Sequence, residues 1–81
     1  MSVDKISVII DIVSSISRIS DEIQAETKII EDGYIDSLNV FHIIAELETK
    51  FNISIGVMDA TVEDFTSPHN ILALVERIDR E

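Results

Sequence analysis

A chain of 81 residues with 46% hydrophobic residues but no tryptophan and only four aromatics is sized for one domain, read as 1–81, with a modest core of branched aliphatics. Sixteen acidic against six basic residues leave a formal charge of −10, which argues against nucleic acid and points to a basic protein surface as counterpart. The absence of cysteine excludes disulfide staples and cysteine metal sites, so any thiol chemistry must come from an added group.

Ser2 to Ile16 carries two overlapping patterns. Ile6, Ile9, Ile10, Val13 and Ile16 suit one face of a helix, whereas Ile6, Val8, Ile10 and Ile12 alternate as in a strand. A helix is expected, because no second strand exists to satisfy the backbone of an isolated one. Ser2 as cap and Asp4 in the first turn agree, and the serine-rich stretch Ser14 to Ser20 ends the helix. From Ser20 to Glu31 a second cap is offered by Ser20, with a helical turn or two to follow, and Ile23, Ile29 and Ile30 are placed to pin the connection over a core. Glu22 and Glu26 sit at four-residue spacing but lack a histidine or third carboxylate, so they read as a solvated face rather than a metal site.

The centre of the chain is Asp32 to Phe51. A turn at Asp32 and Gly33 leads into Asp36-Ser37-Leu38, followed by Val40, Ile43, Ile44, Leu47 and Phe51 at helical spacing. Asp36 is the expected N-cap, which puts Ser37 at the first helical position and sets Ile35 against Val40 as a hydrophobic staple. A phosphate on Ser37 would lie where helix amides and dipole already favour an anion, although a first-turn serine is in itself a common feature. Leu38, Phe41, Ala45 and Glu48 form an adjoining face that, with Ile55, makes the candidate docking set, Leu38 and Phe41 foremost, although Phe41 is equally able to widen the core. His42 and His69 have no ligand set or nucleophile beside them in the sequence and read as surface residues.

Asn52 to Asp59 is expected to be a loop, its brief alternation of Ile53, Ile55 and Val57 too short for a strand and Met58 a filler of gaps. Thr61, Asp64 and Phe65 predict a short helix of at most two turns whose Thr-x-x-Asp is a weaker relative of the capping box. Ser67-Pro68 is the clearest helix start, and Ile71, Leu74, Val75 and Ile78 make the stripe of the last helix, with Glu76 supporting Arg80. No phosphate loop, nucleophile elbow, zinc spacing or repeat is present in the sequence. The elements combine into an all-α fold, a small irregular four-helix bundle with a short third helix and a long loop between helices 1 and 2.

Gly33 to Leu38, GYIDSL, with the amphipathic helix after it, resembles the modification site of acyl and peptidyl carrier proteins, where Gly-x-x-Asp-Ser-Leu/Met opens the second helix. The similarity continues into Thr61 to Ile78, TVEDFTSPHNILALVERI, and so covers about the C-terminal two thirds of the chain. The resemblance implies 4′-phosphopantetheine from coenzyme A on Ser37, with Asp36 helping to place the transferase magnesium. It also implies Leu38 as a partner contact and Ile55 near the serine end. His42 departs from the family, where that helix face is often acidic, and GYIDSL with EDFTSPHNI is at least as similar to D-alanyl, aminoacyl and secondary-metabolite carriers as to the fatty-acid type. The expected function is a non-catalytic, monomeric carrier of thioester-linked acyl or aminoacyl groups. Its expected partners are a phosphopantetheinyl transferase, a loading ligase or transferase, and a downstream synthase. The alternative from another class is a small acidic helical inhibitor that covers a basic enzyme surface. No signal-peptide pattern and no apolar run of spanning length is found, so a soluble cytoplasmic protein with no membrane insertion is expected.

Overall fold

The computed structural model describes residues 4–19, 21–56 and 58–79. Among them are three α-helices, α1 (Lys5–Ile16), α2 (Asn39–Phe51) and α3 (Pro68–Asp79), and one 3-10 turn, Val62–Phe65, between α2 and α3. The short third helix of the expected bundle is thus a single 3-10 turn. Strands are absent among the described residues. No helix there is long and apolar enough to cross a membrane.

α1 is the element against which both other helices pack, and the 3-10 turn leans on α3. Its β-branched run is helical because the helix face is covered on two sides, which supplies the burial that an unpaired strand would lack. The buried stripe is Ile9, Ile12 and Val13, rotated from the expected one: Ile12 is inside, while Ile6, Ile10 and Ile16 are only half-buried. Asp4 stands at the N-cap instead of in the first turn, and its carboxylate accepts from the Ser7 hydroxyl at 3.1 Å. The proposed caps Ser2 and Ser20 and the Glu76–Arg80 pair fall outside the described residues.

Isoleucine supplies eight of the fourteen buried apolar residues among those described, with Phe65 the one aromatic. Ile23 and Ile29 are buried and Ile30 packs against them, so they pin the first connection as the sequence implies. The connection forms turns rather than a helix, and the four-residue spacing of the exposed Glu22 and Glu26 therefore has no helical face on which to act. Its backbone is satisfied by local turn bonds together with a few partners farther along the chain. Ile29 N–H donates to Thr66 O at 2.9 Å, His69 N–H to Ala25 O at 2.8 Å, and Ile35 N–H to Ile29 O at 3.0 Å.

α2 ends at Asn52, left-handed at φ 54°, a conformation that asparagine tolerates better than most residues. Ile53 and Ile55 make no strand, and Val57 falls outside the described residues. Met58 is 93% exposed, so it fills no gap; the loop turns it outward. Asp64 Oδ2 accepts the Thr61 amide at 2.9 Å and closes the 3-10 turn, while Arg77 of α3 reaches both Asp59 O at 2.9 Å and Asp64 at 3.7 Å. Ser67 Oγ accepts the Asn70 amide at 3.1 Å and Pro68 opens α3, whose Ile71, Leu74 and Val75 are buried.

These burials predict two contrasting substitutions. Ile43→Val removes one methylene from a site that is 0% exposed and should lower stability by about 1 kcal/mol in urea unfolding. Phe41→Ala removes a side chain that is 70% exposed and should change it by less than about 0.5 kcal/mol.

Candidate functional site

The approach to Ser37 is set by Gly33, whose φ of 85° lies in the left-handed region that a residue with a Cβ avoids. Gly33 N–H donates to Ile30 O at 3.1 Å, and the chain then turns down through the buried Ile35 to Asp36. Asp36 Oδ1 accepts the amides of Leu38 at 3.0 Å and Asn39 at 3.1 Å, which is the bonding of an N-cap. Asn39 returns its side-chain Oδ1 to the Asp36 amide at 2.9 Å, an Asp-x-x-Asn version of the reciprocal capping box. Regular α-helix begins at Asn39, two residues after the position expected for it. Ser37 and Leu38 form a tightened first turn in which Asn39 N–H also donates to Asp36 O at 3.1 Å. Ile35 and Val40 are both buried in the same core, as the staple requires.

Ser37 is exposed, and among the described residues its hydroxyl has no hydrogen-bond partner. Its nucleophilic oxygen is therefore presented to solvent by a backbone that is held on both sides. The second oxygen of Asp36 is also engaged, because Arg18 Nη2 donates to Oδ2 at 2.6 Å. With the two side chains 70% and 41% exposed, this pair adds at most about 1 kcal/mol to stability, so its interest lies in where it puts charge. Arg18 was not singled out by the sequence. Eighteen residues separate it from Asp36, and the sole hint is that it is the only basic residue between Lys5 and Lys28.

Beside the serine, Leu38 is 74% and Phe41 70% exposed, which decides that Phe41 faces outward instead of widening the core. Ala45 and His42 are exposed with them, and no carboxylate lies on this first half of α2. Glu48, on the same face, is half-buried and turned to an internal task, accepting the Ile55 amide at 2.9 Å. Ile55 is itself buried at 9% and lies in the floor of an open groove of about 370 Å³ between α2 and the 3-10 turn. Val40, Phe41, Ile44, Val62 and Phe65 line the same groove, so Ile55 does lie with the residues of the first turns of α2. His69 is exposed on α3 and lines a hollow with Glu26, Lys28 and Glu31 of the first connection. No group of three or more metal-ligating side chains occurs among the described residues.

An exposed, unbonded hydroxyl preceded by a carboxylate at a helix start fits esterification by a phosphate-bearing arm. The comparisons with known proteins agree. The family described as "Phosphopantetheine attachment site" matches residues 7–77. A D-alanyl carrier protein of Leuconostoc mesenteroides is 31% identical over 72 residues, covering 86% of this chain and 90% of that protein. One from Lactobacillus acidophilus is 26% identical over 90% of this chain and 92% of its own length. An acyl carrier protein of Phytoplasma australiense is 32% identical over 65 residues, 80% of this chain and 83% of that protein. Neither the match nor these relatives favour the acidic inhibitor. With a family match over most of its length and carrier proteins as relatives on either side of the acyl and D-alanyl division, this chain belongs to the phosphopantetheine-attachment family, whose members carry acyl or aminoacyl groups on covalent 4′-phosphopantetheine.

Proposed function

We propose that Ser37 is the residue that takes 4′-phosphopantetheine, and that the chain works as a single cytoplasmic, monomeric carrier domain. The observation that carries this is the exposed Ser37 hydroxyl, free of partners among the described residues and fixed in the first turn by the Asp36 cap. When bound, the arm supplies the thiol on which the cargo travels as a thioester. The protein contributes a rigid anchor at a known place, and tethering raises the effective concentration of cargo at each partner active site. Ser37 needs no local histidine base, since the transferase supplies that chemistry. Asp36 has a second role here: its carboxylate, next to the attacking oxygen, supports the magnesium ion of the transferase.

Leu38, Phe41 and Ala45 form the docking face for the transferase and the loading enzyme. Glu48 and Ile55 support this face from behind, one by holding the 53–56 loop and the other as groove floor. The names of the relatives divide between D-alanyl and acyl cargo. The carboxylate-free Leu38, Phe41, His42 and Ala45 surface differs from the acidic face that the resemblance leads one to expect of fatty-acid carriers, and favours an aminoacyl cargo such as D-alanine.

Incubation of the apo protein with coenzyme A, magnesium and a broad-specificity phosphopantetheinyl transferase should add the mass of one phosphopantetheine, and Ser37→Ala should add none. Asp36→Asn keeps an oxygen for the cap amides and should remain folded by circular dichroism. Its modification rate should fall on the order of 10- to 100-fold through loss of the carboxylate charge toward the metal. Offered an amino-acid-activating ligase or a malonyl transferase, the holo protein should be loaded by the ligase; loading by the malonyl transferase alone would refute the aminoacyl assignment.

A further inference from the structure

Esterification of Ser37 places a phosphodiester beside the Asp36 carboxylate, and two adjacent negative charges repel. Asp36 Oδ1 is fully used by the Leu38 and Asn39 amides, so that carboxylate cannot turn away without uncapping α2. The one cation within salt-bridge distance of Asp36 among the described residues is Arg18. Its backbone is anchored independently of its side chain, since Arg18 N–H donates to Tyr34 O at 3.1 Å. Ser17 Oγ reinforces that bend by accepting the Ile19 amide at 3.0 Å. The guanidinium is 70% exposed and spends one N–H on Asp36 Oδ2 within the described residues, which leaves further donors of a fork suited to phosphate oxygens.

The geometry points to Arg18 as the counter-ion of the modified serine: in the apo protein it pairs with Asp36, and in the holo protein it spans Asp36 and the phosphodiester, positioning the root of the arm. This rests on the attachment at Ser37 proposed above. It assigns a task to a pair that contributes little to stability, and it gives the first connection a direct part in holding the prosthetic group. Lysine can supply the charge but not the planar fork, so Arg18→Lys should retain the electrostatic part of the effect and lose the bidentate part.

The test compares apo and holo forms of the wild type, Arg18→Gln and Arg18→Lys, each checked by intact mass. At low salt, phosphopantetheinylation should lower the melting temperature of Arg18→Gln by about 4 °C more than that of the wild type. Arg18→Lys should recover most of this, and the difference should fade near 1 M salt as screening removes the repulsion. The phosphorus-31 resonance of the phosphodiester should move between wild-type and Arg18→Gln holo protein. Equal melting shifts on modification in all three proteins, with an unmoved resonance, would overturn the role of Arg18 and leave the attachment standing. A wild type that gains no mass would overturn the attachment and the role of Arg18 together, so the two failures are distinguishable.

Discussion

The first connection, from Ser17 to Leu38, has to satisfy its own backbone without forming a helix, and the rest of the structure depends on how it does so. It borrows partners from the start of α3: Thr66 O receives the Ile29 amide, and Ala25 O receives the His69 amide. It also folds back on itself, with Ile35 donating to Ile29 and Arg18 to Tyr34. Ile23, Ile29 and Ile35, all buried, add the apolar attachment that turns a tethered loop into a fixed one. A buried loop with unpaired amides would be costly, so these bonds and the side-chain burial come as one package. Asp36 and Ser37 are at the end of that package, which is why an exposed serine can have a determined position.

At that position one carboxylate joins two levels of structure. Through Oδ1, Asp36 ends the connection and begins α2; through Oδ2 it ties back to Arg18 at the other end of the same connection. The serine lies between two residues whose geometry is held while its own side chain is not. That division suits the attachment proposed for Ser37, which would have to be reached by another protein's active site yet anchor a swinging arm without yielding.

The distribution of charge matters more than its total. A formal charge of −10 suggests an acidic docking surface, but the exposed first half of α2 carries leucine, phenylalanine, histidine and alanine. Acidic side chains gather elsewhere, including the exposed Glu22, Glu26, Glu31 and Asp32 of the first connection. The exposed apolar side chains near the serine, with the groove beside them, give the proposed docking face a different character from the protein as a whole. On that proposal net charge governs solubility and long-range approach, and a few exposed apolar side chains supply the fit.

Local signals were legible in the sequence. The capping role of Asp36, the Ser67-Pro68 start of α3, the isoleucines that pin the first connection and the apolar stripes of α2 and α3 all follow from spacing and capping chemistry acting over three or four residues. The same locality explains what could be read of Ser37, whose neighbours in sequence are also its neighbours in space. Features that join distant segments were decided only by tertiary structure. Which side of α1 is buried, and hence the place of Ile12, depends on two helices packing on it from different directions. Met58 points outward because of the path of its loop, and Glu48 serves the Ile55 amide seven residues away across a turn. The Arg18–Asp36 pair spans eighteen residues that have no regular period, so no pattern announces it. Sequence alone determined that three helices form and which residues cap them near Asp36 and Ser67, because those choices are made by hydrogen bonds within one turn, while the first regular residue of α2 shifted to Asn39. Tertiary structure decided which charge meets which, because that depends on how the chain between them is folded and held.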